Sequence, residues 1–235
     1  MGPDSAASTP HAHHLRVERT ARYFTLGAEG EAAGAIWFVL HGYGQLAGTF
    51  VQFFADIAKT GALVVAPEAL NRFYLVNPDS APARDRPVGA SWMTREDRES
   101  EISDYVEYLD ALHEEIVGEP RVPVNVLGFS QGAATATRWL LNGRSRIARL
   151  VLWGGVMPPD ADLARGWIRL RDTRVTLVAG TRDQYISEDL MVAERARLES
   201  AGVKCDTIRF DGGHVISRSA FPGILGGALS DVSDR

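Results

Sequence analysis

The feature that most limits what this chain can fold into is an alternation of two kinds of segment. From residue 15 onward, short, continuously apolar or β-branched runs are separated by longer stretches with helical spacing. The short runs are Ile36–Leu40, Leu63–Ala66, Val124–Leu127, Leu150–Trp153, Val175–Ala179 and Thr207–Phe210. Runs so short and without polar alternation suit strands buried on both faces, as in a parallel sheet. Between them, Phe50, Phe53, Phe54 and Ile57 mark one face of a helix stopping at Gly61. After Thr94, the positions Ile102, Tyr105, Val106, Leu109, Leu112 and Ile116 recur every three or four residues. Thr94 and Asp97 are spaced as a capping box for that helix, and Gly118 as its C-terminal cap. A third helix runs from Gln131 to Asn142 and ends at Gly143; a fourth starts near Ser187, ahead of Glu188 and Asp189.

Strand–helix alternation of this kind predicts an α/β fold with a mostly parallel central sheet and helices on both faces. The 235 residues fit one domain, and no repeat or linker divides them. Residues 1–14, small and polar, read as a disordered leader; residues 15–235 read as the single domain. Asn71–Ser91, rich in Pro, Asp and Arg, reads as a long surface loop. About twenty residues separate Trp153 from the strand at Val175, too few for a large cap domain.

Composition narrows the partners. A net charge of -5 with no basic stripe argues against nucleic acid. No apolar run approaches the roughly 18 residues of a membrane span, and the leader has no apolar signal region, so the expected location is cytoplasmic. His11, His13 and His14 fall in the leader with nothing nearby to complete a site, so no metal is expected. The single cysteine, Cys205, excludes an internal disulfide and sits in a strand, where it reads as a small buried hydrophobe. A homodimer is left open.

The strongest chemical signal is Gly128-Phe129-Ser130-Gln131-Gly132 directly after the strand at Val124. The pattern alone is weak, but between a strand and a helix it is a nucleophile elbow. The turn lifts the serine hydroxyl off the sheet and aims the Gln131 N–H and a helix N-terminus at a reacting carbonyl. In this architecture the base follows the serine, and of the six histidines only His214 does. Asp183, after the strand Val175–Ala179, is placed to orient the imidazole; Asp160 and Asp162, after the preceding strand, are its rivals. His41-Gly42-Tyr43-Gly44-Gln45 follows the strand Ile36–Leu40, where a glycine turn can supply a second oxyanion donor, the Tyr43 N–H. His41 precedes the serine and reads as a brace for this loop rather than a base. Phe73, Tyr74, Trp92, Met93, Trp153 and Tyr185 are candidates for an apolar acyl pocket, although such residues are as often core.

Together these residues resemble the phospholipase/carboxylesterase family of α/β-hydrolases, which includes the acyl-protein thioesterases. The resemblance spans Ile36 to His214 and rests on His41-Gly42-Tyr43-Gly44, Pro67-Glu68-Ala69, Ser91-Trp92-Met93, the Phe-Ser-Gln-Gly elbow, Gly180-Thr181-Arg182-Asp183 and Gly212-Gly213-His214. It implies Ser130, Asp183 and His214 as a triad, Tyr43 and Gln131 as backbone donors, and hydrolysis of a small-molecule ester or thioester without metal or organic cofactor. Two departures stand out: Gly44-Gln45-Leu46 replaces the family's Gly-Asp continuation, and Gln184-Tyr185 follows the acid where the family has Asp-Pro. The expected activity is a carboxylesterase for short to medium acyl chains. The rivals are an acyl thioesterase or lysophospholipase, a dienelactone-hydrolase-like enzyme, and a non-catalytic binding module on the same fold.

Overall fold

The computed structural model describes residues 10–28, 32–75, 85–118 and 122–226. In chain order these form β1 (Tyr23–Gly27), β2 (Ile36–Leu40), α1 (Ala47–Phe50), α2 (Ala55–Ala58), β3 (Leu63–Pro67), β4 (Asn71–Tyr74), β5 (Val88–Ser91) and α3 (Arg98–Val117). Then follow β6 (Val124–Phe129), α4 (Gln131–Asn142), β7 (Arg149–Trp153), α5 (Trp167–Leu170), β8 (Arg174–Gly180), α6 (Glu188–Ser200), β9 (Cys205–Phe210) and α7 (Phe221–Gly226). Seven strands make one sheet in the order β1-β3-β2-β6-β7-β8-β9. All pairs are parallel except β1 with β3.

The continuous apolar runs are central because both faces of the sheet are covered. Along β2 and β6 successive side chains go to opposite layers. Phe38, Leu40 and Val126 join one core with Tyr105 and Leu109 of α3 and Trp139 of α4. Trp37, Val39, Leu127 and Phe129 join the other with Phe50 and Phe54 of the α1–α2 segment and Phe221 of α7. The short connection from β7 to β8 carries only α5, so no helical cap covers the sheet among the described residues. Among them, no helix is long and apolar enough to cross a membrane.

Three local expectations need correction. The arms of the Asn71–Ser91 segment are not loop: β4 and β5 pair antiparallel, Asn71 opposite Ser91 and Tyr74 opposite Val88, while residues 76–84 lie outside the described residues. The capping box does not form: α3 starts at Arg98, Asp97 takes a left-handed φ of 45°, and the Thr94 N–H donates to Glu101. Phe53 leaves the buried stripe and is exposed, while Phe50, Phe54 and Ile57 stay on it. The other caps stand as read: the Gly118 N–H closes α3 on Glu114, and Ser187 Oγ accepts the Leu190 N–H at 3.2 Å.

Of the leader, residues 1–9 lie outside the described residues; residues 10–14 and the following 15–22 form no helix or strand. His14 bonds Asp97 at 3.0 Å, Arg16 grips Glu107 at 2.6 and 2.8 Å, and Arg22 reaches the buried Glu68. Cys205 is buried in β9, and burial pushes its thiol up to about 12, which makes it inert at neutral pH.

Helix α4, which begins beside Ser130, is anchored at its far end by Asp110 of α3. This buried carboxylate accepts the Trp139 indole N–H at 2.9 Å, the Arg144 N–H at 2.7 Å, and the Ser145 N–H and hydroxyl at 3.1 and 2.7 Å. Burial alone would raise its pKa, but the hydrogen bonds from Ser145, Trp139 and the two N–H groups outweigh burial and hold it below the usual value. The folded state therefore binds this proton more weakly than the unfolded one, and the stabilisation present at neutral pH is lost as pH falls through the folded pKa. Asp110→Asn is expected to cost about 2 kcal/mol near pH 7. The gap to wild type should close below the ordinary carboxylate range in urea unfolding measured against pH.

Candidate active site

The elbow is built by two close approaches. A Cβ at Gly128 would lie 2.1 Å from the Gly132 carbonyl oxygen, and one at Gly132 would lie 2.3 Å from that of Leu40. With neither present, the start of α4 folds tightly over β6 and against the end of β2. Ser130 between them takes φ 54°, ψ -115°, one of two positive-φ residues other than glycine among the described residues. Its N–H is held by the Trp153 carbonyl at 2.8 Å, which ties the elbow to the end of β7. Strain of this kind costs about 1–3 kcal/mol and persists where the surroundings over-determine it.

His214 arrives from the loop after β9. Its Nδ1 lies 2.9 Å from Asp183 Oδ2, and its ring centroid 4.9 Å from that of Phe129, the residue before Ser130. Gly154 makes room for it: a Cβ there would meet the imidazole Cε1 at 2.9 Å, while one at the neighbouring Gly155 would meet the Ser130 carbonyl at 3.2 Å. Ser130 and His214 thus flank the same two-glycine turn. Asp183 follows β8, with its side chain 1% exposed, and its Oδ1 accepts the N–H groups of Tyr185 and Ile186 at 2.9 and 3.2 Å. The rivals are engaged elsewhere. Asp160 bonds Arg138 at 2.9 and 3.2 Å and Arg98 at 2.6 Å; these hydrogen bonds, Arg138's foremost, hold its carboxyl down at about 2. Asp162 caps the Arg165 N–H.

On the other side of Ser130 stands the loop after β2. A Cβ on Gly42 would lie 3.2 Å from Ser130 Cβ. Gln45 closes this loop: its Oε1 accepts the Gly42 N–H at 2.8 Å, and its own N–H donates to the Gly42 carbonyl at 3.2 Å. The N–H groups of Tyr43 and of Gln131, the first residue of α4, donate to no protein acceptor among the described residues. His41 braces the loop from beneath. It is fully buried; Nε2 accepts the Ala69 N–H at 3.0 Å, so Nδ1 carries the proton donated to the Gly42 carbonyl at 2.8 Å. Burial lowers its pKa and keeps it neutral.

The six candidate pocket residues divide. Trp92 and Trp153 are 1% and 0% exposed, and both are core rather than pocket wall. Their indole N–H groups are spent on backbone, Trp92 on the His41 carbonyl at 2.8 Å and Trp153 on that of Val215 at 2.9 Å. Phe73 packs on Tyr43 with centroids 5.1 Å apart, and Tyr185 stands edge-on to His214 at 4.7 Å. Tyr74, next along β4, faces the other side of the hairpin and is exposed. Met93 is half-buried, with its sulfur 3.5 Å from the Arg138 guanidinium. A cavity of about 780 Å³ lies elsewhere, between the N-terminal arm and α3, and none of Ser130, Asp183 and His214 lines it.

Sequence reasoning missed the Gln131 side chain. Its Oε1 accepts the Trp92 N–H at 3.0 Å, and its Nε2 donates to the Met93 carbonyl at 2.8 Å and to Ser91 Oγ at 3.1 Å. The elbow thereby clips the segment after β5 to the start of α4. The Phe-Ser-Gln-Gly form of the motif held the signal, but its backbone partners, Trp92 and Met93, follow a strand that the sequence does not reveal.

The model of the phospholipase/carboxylesterase family matches residues 24–224. The chain belongs to this family. Membership makes it a carboxylic ester hydrolase of the α/β-hydrolase fold. Solved structures with the same fold include Zea mays acyl-protein thioesterase 2, at 15% identity and a TM-score of 0.66, covering 90% of this chain and 99% of that one. Esterase PE8 is 20% identical with a TM-score of 0.62, over 90% and 99% of the two chains. The Bacillus cereus carboxylesterase is 14% identical with a TM-score of 0.65, over 89% and 94%. No curated protein matches the sequence.

The clip made by Gln131 can be measured apart from chemistry. Gln131→Ala leaves the Trp92 N–H and the Met93 carbonyl without their partner and is expected to lower stability by about 2 kcal/mol in urea unfolding.

Proposed function

We propose that this family member hydrolyses carboxylic esters of short to medium acyl chain through an acyl-enzyme on Ser130. The observation that carries this is the buried Asp183 carboxylate 2.9 Å from His214 Nδ1, with the imidazole and Ser130 on either side of one glycine turn. The Asp183 carboxylate fixes the tautomer with the proton on Nδ1 and leaves Nε2 as the base. Nε2 takes the Ser130 proton as the hydroxyl oxygen attacks the ester carbonyl. The unspent N–H groups of Tyr43 and Gln131 receive the oxyanion. The imidazolium then gives its proton to the leaving alcohol, and water repeats the sequence to free the acid. No step calls for a metal or organic cofactor.

The acyl range follows from the surroundings. Tyr43 and Tyr185 flank the site largely exposed, and no helical cap encloses it among the described residues, so a long chain finds little buried apolar wall. Likeness to the maize acyl-protein thioesterase supports a second reading, thioesters of the same acyl range, which the same cycle would cleave.

Hydrolysis of p-nitrophenyl esters from acetate to palmitate tests the proposal. The rate should peak at short or medium chains, and Ser130→Ala should lower kcat by at least about 10⁴-fold. A rate still rising at palmitate would remove the acyl range; an active Ser130→Ala protein would remove the nucleophile.

A further inference from the structure

The proposed cycle gives the site two sides. The carbonyl oxygen turns to the N–H groups of Tyr43 and Gln131. The leaving oxygen must come within hydrogen-bond reach of His214 Nε2, because Nδ1 is held by Asp183 and the imidazole must return its proton there. Whatever the leaving oxygen carries therefore lies beside the imidazole.

Two aromatic rings touch that imidazole. Phe129 is buried and offers a ligand no surface. Tyr185 stands at 4.7 Å with interplanar angle 73° and is 64% exposed. Its position is fixed from behind, since its N–H donates to Asp183 Oδ1, the carboxylate that orients the imidazole. The other exposed ring at the site, Tyr43, packs with Phe73 on the side of the oxyanion donors and is not placed to meet the same group. The loop 181–187 that carries Tyr185 has one cation, Arg182, and it is paired with Asp211. A leaving group on this side meets an aromatic face and no free positive charge from that loop.

We propose that Tyr185 is the specificity-determining platform for the leaving group, and that preferred substrates are esters of flat, uncharged aromatic alcohols. The proposal rests on the Ser130–His214 reading above. Aromatic contact at a half-open site contributes enough to change a rate ratio by about tenfold.

The test compares acetate esters, which share one acetyl-enzyme and so differ only in the acylation step. Values of kcat/KM are measured for benzyl, cyclohexylmethyl and ethyl acetate with wild type, Tyr185→Ala and Tyr185→Phe. Wild type should prefer benzyl over cyclohexylmethyl acetate. The benzyl-to-ethyl ratio should fall about tenfold in Tyr185→Ala and be kept in Tyr185→Phe. Any general disturbance of His214 slows both esters and cancels in the ratio. An unchanged ratio in Tyr185→Ala, or a wild type indifferent between benzyl and cyclohexylmethyl, would overturn the proposal. Ser130→Ala is run alongside: wild-type rates from it would instead overturn the catalytic reading on which this one stands.

Discussion

Helix α4 can approach the C-terminal end of β2 only because residues 128 and 132 carry no Cβ. A methyl group at either would overlap a carbonyl oxygen, and the helix would have to stand off. That approach forces Ser130 into its strained positive-φ conformation, leaves the Gln131 N–H at an open helix start, and brings Gly42 against the serine. The arrangement holds because α4 is fixed along its length: Trp139 and Ala136 are fully buried, and Asp110 secures the far end. Strain at one residue is thus carried by a helix that has nowhere else to go.

How much of this was legible depends on the kind of pattern each element left in the sequence. The parallel strands showed because both their faces are buried and their residues are uniformly apolar. β1 left a weaker trace. It is an antiparallel edge strand whose residues alternate between half-buried and exposed, Phe24 and Leu26 inward and Tyr23 and Thr25 outward. The hairpin β4–β5 was hidden for the same reason, in a stretch whose Pro, Asp and Arg content outweighed four-residue arms. The start of α3 was misjudged because capping depends on where the chain enters the helix, and Thr94 instead serves a turn closed on Glu101.

The site was more legible than its surroundings. Position relative to a strand end, together with chain order, marked Ser130 and His214 and favoured Asp183 as candidates, and the structure brings His214 and Asp183 into contact beside the elbow. Both Asp183 and Asp160 follow strands, so the sequence favoured the first without excluding the second; in the structure Asp160 is held by Arg98 and Arg138, and Asp183 is the one beside His214. Aromatic identity could not separate wall from core. Trp92 and Trp153 carry indole N–H groups that a buried ring must satisfy, and both find backbone carbonyls within the fold's own loops.

Those two bonds show how the site's stiffness is distributed. The His41 and Val215 carbonyls belong to the two loops that meet at Ser130, one carrying Tyr43 and the other adjoining His214. Each loop is therefore locked to a buried tryptophan, while the outward-facing rings of Tyr43 and Tyr185 stay largely exposed, resting on Phe73 and on His214. In the proposed acyl transfer, a fixed main chain beside exposed side chains would separate what must not move from what can vary with substrate. Gln131 belongs to the first class, with every polar atom of its side chain engaged. Tyr185, largely exposed, belongs to the second; under the proposal above, a change there would alter the choice of ester without dismantling the elbow.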